Sequence, residues 1–429
     1  MTLVSELELP SVDHTDASMR GERFHAAMAA ARDPLDVDER AVADGAVWLA
    51  QAPFGYMTLD REAGEFFLRT RSAIFPGMKI AEIFGVQEGP LFEQMRRNIL
   101  HVNGADHTRL RSLVNPALSP RAVERYRPVM REFLEQLLAQ VVEGHASSAT
   151  GGEIHCDFVE AFAKPYPSLA IASVMGAPLE DAPRLHHWSN VIQRQFDAVS
   201  MASEIEVIEQ AVEEFYDYAH ALVRARRADP SDDLISKLIA AEEEGEKLSD
   251  VECINLVFNV LVGGVDTSQS QLAHAVRLLA EHPEQLALLA GDSSLAGAAV
   301  EEALRYEPIT PFTARILVED VEYRGIDFPE GTVVMVCAFT GNRDLEDDAA
   351  GTGGGDSFDI TADRAKARPL TFGAGVHYCL GANLARVELQ EGLAFLSDRL
   401  HRLRLDGEPV FEGVSGIYGL AELPIAFTV

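Results

Sequence analysis

Cys379 lies in the run Phe372-Gly373-Ala374-Gly375-Val376-His377-Tyr378-Cys379-Leu380-Gly381, a glycine-rich turn that leads directly into a helical stretch over about residues 382–401. Amide dipoles at a helix start favour a thiolate, and glycines let backbone N–H groups approach sulfur while leaving room for a flat ligand. A thiolate so placed is a strong axial ligand for a haem iron. The competing reading is a buried structural cysteine, the usual fate of a lone Cys. The other three, Cys156, Cys253 and Cys337, are far apart and form no CxxC. That argues against a disulfide framework or a zinc ribbon and fits a reducing cytoplasm.

Three further groupings carry charge or break local rules. Gly263-Gly264-Val265-Asp266-Thr267-Ser268 interrupts a long apolar helix. Paired glycines cost about 1 kcal/mol each there, and Asp and Thr compete for backbone hydrogen bonds. Such conflicts mark either a site or a plain kink. Glu302 and Arg305, spaced i,i+3, put opposite charges on one helical face, which alone is an ordinary surface pair. His107 and Arg111, four apart, project from one face toward an anion or toward solvent.

Stepping outward to the elements, the 429 residues are 47% hydrophobic and 24% charged, enough apolar side chain for a substantial core. Most of the chain reads as helix, over residues 119–143 with a bend at Pro128, and over 157–175, 181–199, 204–227 and 233–244. Ser249 and Glu252 form an S-x-x-E capping box that opens the clearest helix, which His282-Pro283 ends. Strand patterns are confined to patches: a hairpin over 47–59, Val-rich alternation from Arg315 to Phe339, and the carboxyl end from about 402. The short run Gly351–Gly355 reads as a surface loop, and no linker divides the chain. The expectation is therefore one mainly helical domain with small β-sheets over residues 1–429. No stretch approaches 18 uninterrupted apolar residues and the amino terminus has no signal-peptide pattern, so no membrane association is expected.

With these groupings in order, the sequence resembles the cytochrome P450 superfamily. Its haem-ligand signature F-x-x-G-x-x-x-C-x-G is met by Phe372, Gly375, Cys379 and Gly381. The resemblance implies the P450 fold, with a long central helix over a haem b, Cys379 as the iron ligand and a loop over 372–381 in which Gly373 also touches the cofactor. It implies that Asp266 and Thr267 are an acid–alcohol pair relaying protons to bound dioxygen. His107, Arg111, Arg315 and His377 become ligands of the haem propionates, a task suited to the planar fork of Arg. Glu302 and Arg305 become a buried pair joined by Arg364. Here the chain departs from the usual pattern, because Phe358-Asp359 stands two residues farther upstream of that arginine.

Substrate contacts implied by the resemblance are Met78, Ile80, Ile83, Phe84, Val191, Phe196, Phe258, Val262, Gly263, Ile309, Phe312, Ile417 and Tyr418. Each is also ordinary core material, and together they suit a mainly apolar small organic molecule. The implied activity is a monooxygenase using dioxygen. Electrons come from a ferredoxin and an NAD(P)H-dependent reductase, because the chain has no flavin-domain pattern and no iron–sulfur cysteine pattern. Peroxide-driven oxygenation and a non-enzymatic haem sensor are the alternatives; the intact Asp266-Thr267 pair favours dioxygen. A net charge of −32 disfavours nucleic acid. Two stretches run against it, residues 94–131 with eight Arg and two acids, and 361–405 with seven Lys or Arg and four acids. Arg96, Arg97, Arg109 and Arg402 are the expected patch for an acidic ferredoxin, on a cytoplasmic monomer.

Overall fold

Ser249 opens the central helix through a reciprocal cap. Its Oγ accepts the Glu252 N–H at 3.3 Å, and the Glu252 carboxylate accepts the Ser249 N–H at 2.8 Å. In the computed structural model, which describes residues 2–33, 35–145, 152–243, 248–345, 354–364 and 368–429, this helix is two segments rather than one. Asp250–Gly263 and Asp266–Glu281 are separated by Gly264 and Val265, where ψ is −4° and −71°. The break has local causes. A Cβ on Gly264 would come within 2.8 Å of Ile171, so only glycine lets the helix lie this close to its neighbour. The Thr267 hydroxyl also donates to Gly263 O at 2.8 Å, taking a carbonyl at the end of the first segment. Together the segments are long and apolar enough to cross a membrane by composition, yet most of that apolar window is buried inside the protein.

The first segment packs on helices Ala182–Gln193 and Ile205–Ala228; the second packs on Ala296–Tyr306 and Ala382–Arg399. Facing them is a five-stranded sheet in the order Leu49–Ala52, Gly55–Thr58, Val333–Cys337, Phe312–Leu317, Ala73–Ile74. Only the pairing of Gly55–Thr58 with Val333–Cys337 is parallel. Buried apolar residues gather in two clusters, one among the helices and one under this sheet. The fold is thus mainly helical with small sheets.

Several boundaries differ from the sequence reading. The strand expected to reach Phe339 stops at Cys337, and Ala338–Arg343 is helical; Phe339 packs its ring 4.6 Å from that of Phe24. Asp157, expected to open a helix, instead ends the strand Ile154–Asp157, which pairs with the terminal strand Pro424–Thr428, a partner no local pattern announces. Helix 181–199 breaks into Ala182–Gln193, a turn Arg194–Phe196 and Ala198–Ser203, since the Asp197 carboxylate caps the amides of Val199 and Ser200. The bend expected at Pro128 occurs just before it, at the turn Glu124–Tyr126, and Pro128 sits in the first turn of Arg127–His145. Glu244 and most of the glycine-rich run, residues 351–353, lie outside the described residues.

Candidate active site

A cavity of about 490 Å³ opens between the helix break, the cysteine loop and strand Phe312–Leu317. The cysteine loop is built from two short turns, Leu370–Phe372 and Gly375–His377, closed by a hydrogen bond from Cys379 N to Phe372 O at 2.9 Å. Gly375 has φ of +71°, and a Cβ there would stand 2.5 Å from Leu68 O, so the loop can pass beneath that helix only with glycine. Cys379 presents its exposed face to the cavity and is crowded by protein elsewhere. That crowding pushes its thiol up, opposed by the amides of Gly381 and Ala382 and by Arg111 and Arg386. Arg386, which the sequence reading passed over, pairs with Glu301, donates to Tyr378 Oη at 2.9 Å, and lies 4.6 Å from the centre of the Phe372 ring. It pins the loop to helix Ala296–Tyr306.

Beside the sulfur stands a corner of buried bases. His107, Arg111, Arg315 and His377 all line the cavity, as do Phe372, Gly373 and Gly381. The rings of His107 and His377 are 4.3 Å apart, and His377 Nε2 is 3.1 Å from Asn103 Oδ1. Arg111 and Arg315 have no acidic partner among the described residues; the one side-chain hydrogen bond of Arg315 goes to Ala314 O. Burial alone lowers Arg315 to about 10, and burial with the neighbouring bases holds His377 down at about 3. His101, also missed by the sequence reading, stacks on Phe75 nearby with both ring nitrogens unpartnered. Buried cations without counter-charge are unfavourable, so this corner demands an anion. One thiol, two guanidiniums, two imidazoles and apolar walls fit a flat apolar ligand bearing carboxylates, which is the chemistry of haem.

At the helix break the alcohol and the acid part company. Thr267 lines the cavity, whereas Asp266 does not; its carboxylate faces helix Ala182–Gln193, where Asn190 Nδ2 approaches Oδ1 at 3.4 Å. Successive helical residues are rotated by about 100°, and here that turn carries Asp266 off the cavity face on which Thr267 lies. Burial raises Asp266. Glu412 stands on the same side and is pushed up to about 7 by burial and by Asp266. The acid on the cavity wall is one the sequence reading missed: Glu388, fully enclosed on helix Ala382–Arg399, accepts the Ser268 hydroxyl at 2.9 Å and is raised by burial to about 8. Its position, nine residues after Cys379, was its only signal.

Glu302 and Arg305 form a two-pronged pair at 2.7 Å, with side chains 2% and 1% exposed. Arg305 also donates to Gly355 O and Ser357 O, both at 2.6 Å, and Glu302 accepts the Asp359 N–H at 3.0 Å. Arg364 reaches Glu302 only at 3.8 Å and donates instead to Gly354 O.

Of the expected substrate contacts, Ile80, Ile83, Phe84, Phe196, Phe258, Val262, Gly263, Ile309, Phe312 and Ile417 line the cavity. Met78, Val191 and Tyr418 do not. Met78 packs on the helical core, and Val191 lies off the face on which Ser189 and Gln193 both donate to Val262 O. Tyr418 turns inward, where its hydroxyl accepts the Gly21 N–H at 2.9 Å. The expected basic patch is also altered. Arg96 and Arg97 share Glu93, and Arg109 pairs with Glu252, so two of its four positive charges are offset by carboxylates. Arg121, Arg368 and Arg402 are the exposed arginines of these stretches with no acidic partner among the described residues.

Comparison with known proteins bears directly on this arrangement. The family described as Cytochrome P450 matches residues 84–290 and 294–347. The chain is 35% identical over 423 residues to luteothin monooxygenase of Streptomyces thioluteus, covering 98% of this chain and 96% of that one. It is 35% identical over 315 residues to mycinamicin IV hydroxylase/epoxidase of Micromonospora griseorubida, covering 73% and 75%. Among solved structures, that of CalO2 superposes with a TM-score of 0.82 at 30% identity, over 98% of this chain and 99% of that one.

Proposed function

We propose, from the premise that this chain belongs to the cytochrome P450 family and is a monooxygenase, that Cys379 binds the iron of a haem b whose propionates are held by His107, Arg111, Arg315 and His377. The observation that carries this assignment is the pairing, within one cavity, of a lone cysteine with the buried Arg315 and the half-buried Arg111, which have no acidic partner among the described residues. A haem held here would supply the iron chemistry of dioxygen activation, in which one oxygen atom enters a C–H bond and the other leaves as water, with two electrons from a redox partner and two protons from solvent.

The chain's own residues divide the remaining work. The amides of Gly381 and Ala382, with Arg111 and Arg386, favour negative charge on the Cys379 sulfur against the burial that opposes it. Thr267, anchored through Gly263 O, holds a hydroxyl at the cavity wall where protons are needed. Asp266 faces the outer side with Asn190 and Glu412 and takes up protons there; Glu388, held near pH 8 with its Oε1 unpartnered, is a second proton store on the cavity side. Glu302 and Arg305 fix the backbone ahead of the cysteine loop, with Arg364 as a weaker third member.

The substrate is a mainly apolar small organic molecule, supported by Phe84, Phe196, Phe258, Val262 and Ile309 on the wall. Electrons come from a ferredoxin and its reductase, docking near Arg121, Arg368 and Arg402. The test is the reduced carbon-monoxide adduct of the purified protein. The parent shows the red-shifted Soret band of thiolate ligation and Cys379→Ser lacks it; the same band in both would remove Cys379 from the role.

A further inference from the structure

A third group of buried charge lies behind the apolar wall, and neither the base-lined corner nor the helix break uses it. Glu307 is 0% exposed. Its Oε2 accepts from Arg277 at 2.8 Å and its Oε1 accepts from His25 Nε2 at 3.0 Å, since an ionised carboxylate can only accept. Arg277 also pairs with Glu281 at 2.7 Å. Burial pushes the Glu307 carboxyl up, but His25 and Arg277 outweigh it and hold the group at about 2, so it is ionised. His274, enclosed at the same place, is held at about 3 by burial and by the Arg277 charge, so it is neutral. One guanidinium therefore faces two carboxylates, and the second donor that the buried Glu307 needs comes from His25. That imidazole is 32% exposed, on helix Gly21–Ala31, and does not line the cavity.

Direct links join this cluster to the cavity wall. Glu307 begins the segment 307–311, which connects helix Ala296–Tyr306 to strand Phe312–Leu317 and belongs to neither. Lacking a helix or a ladder of its own, the segment depends on single fastenings. They include the Glu307 carboxylate, Ile309 O, which accepts the Tyr418 N–H at 2.8 Å, and Pro311 O, which accepts the Ala338 N–H at 2.8 Å. Ile309, and Ile417 beside Tyr418, both line the cavity. The helix that carries His25 also grips the hairpin of Val410–Phe411 and Leu420–Glu422, on whose loop Ile417 stands. Its Gly21 N–H donates to Tyr418 Oη at 2.9 Å, and the Phe24 ring lies 5.6 Å from that of Tyr418. A shift at Glu307 thus reaches Ile309 two residues on and, across one hydrogen bond, Ile417.

We infer that His25 is a positioning residue for the substrate: through its hydrogen bond to Glu307 it fixes the wall formed by Ile309 and Ile417, and so sets how tightly long apolar molecules are held. The inference rests on the reading of this cavity as the substrate pocket of a haem-thiolate enzyme. Small displacements of a wall are felt because packed contacts weaken steeply with distance, and a residue far from the chemistry can act in this way. Without His25, Glu307 keeps Arg277 alone, and Arg277 is shared with Glu281. The carboxylate then moves toward a new donor and takes residues 307–309 with it.

Two probes separate a positioned wall from general stability: imidazole and 1-dodecylimidazole, titrated into the holoprotein and read from the red shift of the Soret band. Both place the same ring on the iron, and only the second runs a chain along the walls. His25→Leu weakens 1-dodecylimidazole by about fivefold and leaves imidazole unchanged. His25→Gln, whose Nε2 reaches Glu307 as the imidazole does, stays within about twofold of the parent for both. His25→Asn, polar but too short to reach, behaves as the leucine variant and carries the test if that variant loses haem. Unchanged affinity for the chain in His25→Leu and His25→Asn, equal losses of both probes, or failure of glutamine to restore the chain's affinity overturns the inference. A lower melting temperature with the same ratio of the two affinities makes His25 merely structural and overturns it too. A parent whose Soret band neither probe moves contradicts instead the haem-thiolate reading beneath it.

Discussion

Two groups of charge are built on the cavity corner and on helix Ala296–Tyr306, and they are finished differently. At Glu302–Arg305 every charge is answered inside the chain, by the partner side chain, by the carbonyls of Gly355 and Ser357, and by the Asp359 amide. At Arg111 and Arg315, beside the uncharged imidazoles of His107 and His377, positive charge collects with no acid among the described residues to meet it. A closed network holds architecture, because removing one member strands the other. An open one is a binding site awaiting its counter-ion. The same residue type, arginine, therefore has opposite effects on the empty fold at the two places.

The largest expected effect falls on the closed network. Glu302→Ala or Arg305→Ala strands a buried charge at about 3–5 kcal/mol and yields little folded, haem-loaded protein. Normal melting temperature and haem content in both would show that the pair is dispensable. Arg315→Leu breaks the comparison from the other side: it weakens haem retention but leaves the haem-free protein at least as stable as the parent, since a desolvated cation is removed. A lower melting temperature of the haem-free variant would make Arg315 structural after all.

Thr267→Ala tests the chemistry between the two. Substrate binding and electron uptake persist, while peroxide released per NAD(P)H consumed rises several-fold, because proton delivery loses its anchored hydroxyl; unchanged product yield per NAD(P)H would take Thr267 out of the relay. Glu388 gives a pH signature. Its native carboxyl keeps its proton up to about pH 8, whereas an unfolded glutamate releases it near 4.5, so the native state binds more protons between those limits. Stability accordingly falls as pH rises across that window, and Glu388→Gln flattens the slope of melting temperature against pH. Parallel slopes in parent and variant would contradict the raised carboxyl. Smallest is the surface: Arg402→Glu weakens ferredoxin-supported reduction a few-fold at low salt, and the difference vanishes as salt screens it. Equal rates at low salt would move the docking face elsewhere.

What could be read from the sequence follows the same division. The glycine turns around Cys379, the cap at Ser249 and the i,i+3 contact of Glu302 with Arg305 are local patterns, whereas the burial of that pair is implied only by the resemblance and the break after Gly263 divides the expected helix. Residues supplied by distant segments were harder. Ile154–Asp157 becomes a strand only because Pro424–Thr428 lies beside it. Arg96, Arg97 and Arg109 look like free charge because a tally begun at residue 94 leaves out Glu93, which Arg96 and Arg97 share, and Glu252, which comes from another helix. Asp266 and Thr267 read as a pair because they are adjacent, yet adjacency on a helix sends them to different faces. Glu388 carries no motif; only its burial and an unpartnered Oε1 single it out.

The central claim is that the unanswered cations beside Cys379 exist to hold the carboxylates of haem. The most direct measurement reconstitutes the haem-free protein with haem and with haem dimethyl ester, in which both propionates are capped. The parent should hold haem far more tightly than the ester, and the double variant Arg111→Leu/Arg315→Leu should hold the two alike. Equal affinity of the parent for haem and ester would contradict the account.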